Sequence, residues 1–165
     1  MKLSDGIEQA IHSVAMLCGL STEGVLSAAS LAEFHGVSTS YLLKHLQALS
    51  KAGIVQTVPG PKGGYRLAHH PSDISLLDIV NAVEGPHPAF RCKDIRRRGP
   101  TPASAAMLKK PCSVNVAMLR AEKAYKEELR TISIADIIED IANIDDGSIA
   151  ARGCQFLEQN QRITN

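Results

Sequence analysis

No stretch of this 165-residue chain approaches the roughly 18 consecutive apolar residues that a membrane span needs. Its start, MKLSDGIEQA, has no apolar signal-peptide core. Both absences set aside secreted and membrane classes, and the expectation is a cytoplasmic protein with no membrane partner. There is no tryptophan, and the four cysteines, Cys18, Cys92, Cys112 and Cys154, form no CxxC or CxxH pair. That spacing argues against a zinc knuckle and against a disulfide scaffold, so no metal ligands are assigned and any functional thiols act as sensors. A phosphate-binding glycine loop, an HExxH motif and a placed nucleophile-base pair are all missing, which argues against an enzyme. What is present, 44% apolar and 21% charged residues, suits one domain with an added dimerisation arm, able to bury a core without staples.

The net charge of +1 conceals a cancellation. Residues 85–112 carry seven Lys/Arg against one acid, while residues 71–84 carry three acids and no Lys/Arg, and residues 113–165 carry six Lys/Arg against nine acids. A basic segment between acidic ones is compatible with nucleic-acid binding at near-neutral total charge.

Ile7, Ile11, Val14, Ala15 and Cys18 recur at helical spacing and predict one buried stripe. Cys18 belongs to that stripe and reads as core. After a turn at Ser21–Gly24, Ser27 caps a short helix from about Ala28 to His35, closed by Gly36. Ser38 caps a longer helix, Thr39 to Ala52, with Leu42, Leu46 and Leu49 inward; the pair suggests a helix-turn-helix. On the opposite face Ser40, Lys44, Gln47 and Lys51 form a polar, cationic, acid-free stripe. Such side chains hydrogen-bond phosphates and purine edges, and the helix fits the major groove; a merely solvated helix face is the alternative for the stripe taken alone. The segment Ile54–Val58 alternates like a strand, PGPKGG turns the chain, and Tyr65-Arg66-Leu67 returns. A wing with Lys62 at its tip, directly after the helix-turn-helix, shifts the balance to DNA binding.

Ser75 to Asp78 forms a capping box before a helix bearing Leu76, Ile79, Val80 and Val83. Residues 85–112 hold five prolines, Arg96-Arg97-Arg98 and two cysteines, lose the period and read as a mobile loop. A helix from about Ser113 to Arg130 follows, with Val114, Ala117, Met118, Ala121, Tyr125 and Leu129 on one face and Glu122/Lys126 plus Lys123/Glu127 as surface pairs. Its apolar face suits a symmetric dimer, the alternative being a helix folded back on the winged domain. Ser133 and Asp136 form a second capping box before Ile134, Ile137, Ile138 and Ile141. The tail after Gly147 reads as frayed. His69 and His70 read as decoration of the strand exit.

The resulting class is mainly α with a small β-wing: a winged helix-turn-helix (1–84), a cysteine-containing basic sensor loop (85–112), a dimerisation helix and short docking helix (113–146) and a C-terminal tail (147–165).

The run YLLKHLQALSKAGIVQTVPGPKGGYRLAHHPSDISLLDIVNAVEG resembles the winged helix of the Rrf-two (Rrf2) family of bacterial transcription regulators, with GPKGGYRL followed by ISLLDIVNAVEG as its specific signal. The likeness extends from the first helix through ISIADIIEDI. It implies a homodimer that binds double-stranded operator DNA, most often as a repressor. By resemblance, Ser38, Thr39, Ser40, Tyr41, Lys44 and His45 lie nearest the DNA, and Lys62, Gly63, Gly64 and Tyr65 are wing contacts. Several relatives have arginine where this chain has Pro59, so Lys62 or Arg66 substitutes.

Cluster-binding relatives carry three cysteines in the loop before the dimerisation helix, and a histidine three residues after the last one completes the set in one of them. Cys92 and Cys112 match the first and last, but RRRGPTPASAAMLKKP between them has no cysteine, and Asn115 stands at the histidine position. An asparagine is a poor iron ligand. No cofactor is therefore expected; an iron-sulfur cluster on Cys92, Cys112 and further ligands, such as His87, Cys154 or a residue of the partner chain, is the alternative. Arg91, Lys93 and Lys110 adjoin the two thiols in sequence and favour thiolate, as would a place for Cys112 at a helix N-terminus. The sequence thus suggests a regulator responding to redox, electrophile or iron-sulfur status through Cys92 and Cys112. The alternatives are inert remnants of a cluster site, or a cysteine-independent regulator controlled by a docking metabolic enzyme.

Overall fold

The computed structural model describes residues 3–164. Helix α1 (Asp5–Leu17) buries Ile7, Ala10, Val14 and Leu17; of the expected stripe Ile7 and Val14 are buried, while Ile11, Ala15 and Cys18 are half-buried at its edge. A two-residue strand β1 (Gly24–Val25) leads to α2 (Ala28–His35), where the Ser27 side chain accepts from the Ser30 N–H and Gly36 closes the helix at φ 66°. That left-handed conformation carries no penalty for glycine, and Val37 N–H then bonds back to the Ala32 carbonyl at 2.9 Å. Helix α3 (Thr39–Lys51) follows at once. Ser38 occupies its N-cap without a side-chain cap bond; its hydroxyl instead pairs with that of Ser40 at 3.0 Å.

The wing consists of β2 (Val55–Val58) and β3 (Gly64–Leu67), antiparallel with Val55 opposite Leu67 and Val58 opposite Gly64. Leu26 and Tyr65 bridge the wing to the segment between β1 and α2. After the wing, His70 caps a 3-10 turn at Pro71–Asp73. Helix α4 (Leu76–Glu84) starts from the Ser75–Asp78 capping box.

The core lies where α1, α2, α3 and α4 converge. Val14, Leu26, Leu31, Leu42, Leu46, Leu49, Ile79 and Ile134 are wholly buried. Each buried Leu or Ile contributes about 1.5–3 kcal/mol by removal from water, so the three leucines of α3 hold that helix to the body while its opposite face stays wet.

Residues 85–112 are not patternless. They contain a 3-10 turn at Ile95–Arg97 and a single helical turn, α5 (Ala105–Leu108), capped by Ser104. Helix α6 (Ser113–Thr131) buries only Glu122. Glu122, read from sequence as a surface partner of Lys126, does meet Lys126 at 2.9 Å. It is nevertheless buried, because it also accepts the Ala89 N–H at 3.0 Å. The expected Lys123/Glu127 pair is not formed; Glu127 pairs with Arg130 at 2.6 Å.

Helix α7 (Ile134–Ile144) starts from the Ser133–Asp136 capping box. The two boxes stand side by side: Ser75 and Ser133 form an antiparallel bridge, with Leu76 N–H on the Ile132 carbonyl and Ile134 N–H on the Ile74 carbonyl, both at 2.9 Å.

The tail is ordered rather than frayed, and the sequence expectation is corrected here. Helix α8 (Ser148–Asn160) buries Leu157, and β4 (Arg162–Ile163) pairs with β1, Gly24 opposite Ile163 and Val25 opposite Arg162. The weak pattern of α8 reflects a narrow contact. Phe156 packs on Phe34 with ring centroids 4.9 Å apart, while most of the helix is exposed.

Candidate nucleic-acid interface and thiol site

Ser40, Lys44, Gln47 and Lys51 are all exposed on α3, opposite the buried Leu42, Leu46 and Leu49. Ser38 and Thr39 are exposed at its N-terminus, which carries no acidic residue in its first turn. Tyr41 is exposed, but His45 turns away from this stripe. Its ring meets Tyr41 edge-on at 4.6 Å and lies against Gly6 of α1, where a β-carbon would overlap the imidazole. Burial is the main cause holding the His45 pKa below the ordinary histidine value, which disfavours its charged form. Helical spacing anticipates this placement: His45 falls beside Leu42 and Leu49, away from Lys44 and Gln47.

At the wing, Lys62 is exposed in a turn closed by Gly63 N–H on the Gly60 carbonyl at 2.9 Å. The two glycines after it serve close backbone approach. A β-carbon on Gly63 would overlap the Val58 carbonyl, and one on Gly64 the Leu26 carbonyl. Tyr65 is a core residue, only 8% exposed, with burial pushing its phenol pKa up. Its backbone exchanges both hydrogen bonds with Leu26, at 2.8 and 3.1 Å. Arg66 is engaged as well: its Nε donates to Gln56 at 3.1 Å and its Nη1 lies 3.4 Å from Glu23. Of the wing positions suggested by resemblance, Lys62 alone is an exposed, unneutralised cation among the described residues.

The segment 85–112 brings together residues twenty positions apart. Cys112 is the N-cap of α6. The Asn115 N–H leads in holding its thiol below the ordinary thiol range, assisted by the Val114 N–H, the Cys92 thiol and the Arg96 guanidinium, against partial desolvation. A helix N-terminus stabilises thiolate in this way. Cys92 is exposed, and its sulfur accepts the Asp94 N–H at 3.4 Å.

Arg96, rather than Arg91, Lys93 or Lys110 that adjoin the thiols in sequence, organises the segment. Its Nε lies 2.6 Å from Asp94, and its Nη1 and Nη2 reach the Met107 and Lys110 carbonyls at 3.4 and 3.2 Å. The signal available in the sequence was the single acid, Asp94, within a basic run.

Cys18 differs in kind. Its Sγ donates to the Val14 carbonyl at 3.3 Å, and burial pushes its pKa up to about 11. Cys154 is exposed on α8.

Whether these residues suit an iron-sulfur cluster is a matter of donors. Cys92 and Cys112 supply two thiols, Asn115 stands in the first turn of α6 where a histidine ligand would be needed, and no group of three or more His, Cys, Asp or Glu side chains is assembled for a metal among the described residues. A cluster takes four thiolate or imidazole donors, so the set within one chain does not fit. No helix among the described residues is long and apolar enough to cross a membrane.

Comparison with known proteins agrees with this geometry. The chain is 31% identical to protein rrf2 of Nitratidesulfovibrio vulgaris over 119 residues, 72% of this chain and 75% of that protein. Among solved structures, T. potens IscR aligns with TM-score 0.64 and 27% identity over 91% of this chain and 96% of its own. CymR of B. subtilis, the global cysteine regulator, aligns with TM-score 0.63 and 23% identity over 84% and 97%, a likeness of fold. The Rrf2 family model, described as an iron-dependent transcriptional regulator, matches residues 3–140. The chain therefore belongs to the Rrf2 family of transcriptional regulators, with a DNA-binding winged helix.

Proposed function

We propose that this protein is a homodimeric, operator-binding regulator, acting as a repressor, whose DNA affinity is set by the Cys92–Cys112 thiol pair. The observation that carries the reading is the acid-free stripe Ser40, Lys44, Gln47 and Lys51, exposed on α3 beside a wing tipped by Lys62. Such a helix enters the major groove while the wing follows the backbone. Ser38, Thr39 and Tyr41 flank the same entry; His45 and Tyr65 support the fold behind it.

Dimerisation is supported by α6, which leaves Val114, Val116, Met118 and Leu119 exposed. Four large apolar side chains on one 19-residue helix suit burial against a second copy.

Sensing is supported by the low Cys112 pKa beside Cys92. With a peroxide as oxidant, the Cys112 thiolate attacks the terminal oxygen and the O–O bond breaks, leaving a sulfenic acid and releasing alkoxide or hydroxide. Cys92 then attacks that sulfur, forming the S–S bond with loss of water. Closing this bond would lock residues 92–112 onto the first turn of α6 and so alter the helix that sets the spacing of two recognition helices.

The test is to select a duplex from a randomised pool with the wild-type protein, then measure its affinity for the reduced and the peroxide-treated forms. Alanine at Lys44 and Gln47 should abolish selective binding while leaving the fold intact. The double variant Cys92→Ser/Cys112→Ser should bind but lose the peroxide response. If it keeps its full response in cells, the thiol reading is wrong and control by a docking protein is favoured.

A further inference from the structure

We infer that Arg162, delivered by the C-terminal strand, is the principal phosphate-binding cation of the wing besides Lys62. The inference rests on the DNA-binding reading and extends it to a segment beyond the family match, which ends at residue 140.

Arg162 pairs with Val25 through β4 and β1, and its side chain continues to the wing tip. There Nη1 donates to the Pro61 carbonyl at 3.2 Å and to the Gly63 carbonyl at 3.4 Å, the carbonyls on either side of Lys62. Nη1 is thereby engaged by the turn, while Nη2 and Nε make no hydrogen bond among the described residues. A guanidinium carries five N–H donors in a planar fork that matches a phosphate. One edge fixed by two carbonyls leaves the other pre-oriented, which lowers the entropy cost of a contact.

Among the described residues Arg162 has no carboxylate partner within ion-pair distance, whereas Arg66 has one in Glu23.

The strand carrying Arg162 is anchored on both sides. Ser21 N–H and hydroxyl donate to the Gln161 side chain at 3.2 and 3.0 Å. Thr164 donates to the Glu23 carbonyl from its N–H at 3.0 Å and its hydroxyl at 3.2 Å. Further back, Leu157 packs on Gly19, and the Arg152 guanidinium donates to the Phe34 carbonyl at 2.9 Å while covering the Phe34 ring. The C-terminal segment is therefore a clasp that presents a cation at the wing.

The experiment compares wild type, Arg162→Ala and Arg162→Lys on the duplex selected by the wild-type protein, with affinity measured over a range of salt. Each phosphate contact contributes about 0.9 to the slope of log K against log salt. With one Arg162 in each protomer of a dimer, Arg162→Ala should reduce the magnitude of that slope by about 1.8. The two lines should converge toward high salt, and Arg162→Lys should restore the slope.

Parallel lines, with the slope unchanged whatever the offset, would mean that Arg162 only braces the turn, and would overturn the inference. Thermal melts of the free variants separate this outcome from loss of fold. If the wild-type protein itself enriches no duplex, the DNA-binding reading has failed, and the inference falls with it.

Discussion

Asp94 holds Arg96, with Oδ1 2.6 Å from Nε, and through Arg96 the carbonyls of Met107 and Lys110. Asp94 itself sits at φ 43°, the one non-glycine residue with positive φ among those described. A left-handed aspartate is tolerated because its short side chain bonds locally, and here that side chain engages both Arg96 and Arg97. The acid and the arginine thus tie the Cys92 end of the loop to the Cys112 end.

Removing Arg96 should therefore slow the chemistry of Cys112. Arg96→Ala is expected to shift the pH midpoint of Cys112 alkylation upward, since the guanidinium is one of the groups that lower it, though a smaller contributor than the Asn115 N–H. Mass-resolved iodoacetamide kinetics would show it. An unchanged midpoint would remove Arg96 from the thiol site.

Cys18 should behave in the opposite way. Its pKa of about 11 leaves it unreactive at neutral pH while Cys92 and Cys112 are modified. The folded pKa is raised, so its contribution to stability is whole below the unfolded thiol value of about 8.5. It is lost as pH rises toward 11, because the unfolded chain then binds fewer protons. Melting temperatures across that window, compared with those of Cys18→Ala, would report the loss.

The twin capping boxes should each matter to stability. Ser75→Ala or Ser133→Ala is expected to cost about 1 kcal/mol, the usual worth of a hydroxyl N-cap. The double variant should depart from additivity, because the two boxes are joined through Leu76 N–H and Ile134 N–H. Denaturant melts of the single and double variants measure both quantities.

A charge on the open face of α6 should separate protomers without unfolding them. Met118 is 43% exposed, so the carboxylate of Met118→Asp can reach water in the monomer yet would be placed in the dimer contact. Sedimentation should move to the monomer mass with the helical circular dichroism signal retained. A dimer that persists would place the interface elsewhere.

Much of the fold was legible because local physics carried it. The spacing of Leu42, Leu46 and Leu49 both predicts α3 and determines which of its faces is wet. The Ser75 and Ser133 boxes start their helices where the sequence puts Ser three residues before Asp, and Gly36 ends α2 for the same local reason. The acid-free stripe is legible on the same terms, since Ser40, Lys44, Gln47 and Lys51 need only helical geometry to align.

The partners of His45, Tyr65 and Arg66 were not legible, because nearness in sequence to α3 and the wing does not show what a side chain packs against. Gly6 opens space for the His45 ring, Leu26 draws Tyr65 inward, and Glu23 engages Arg66. None of these three partners is local.

The sequence by itself determined the helices, their caps, the wing and the acid-free stripe, all of which depend on interactions within a few residues. Only the tertiary structure decided that Arg96 rather than its basic neighbours faces the thiols, that Glu122 is buried under Ala89, and that the C-terminal strand reaches β1 to set Arg162 on the wing. Contacts across such chain separations depend on how packed elements close on one another, and helical or strand periodicity carries no record of them.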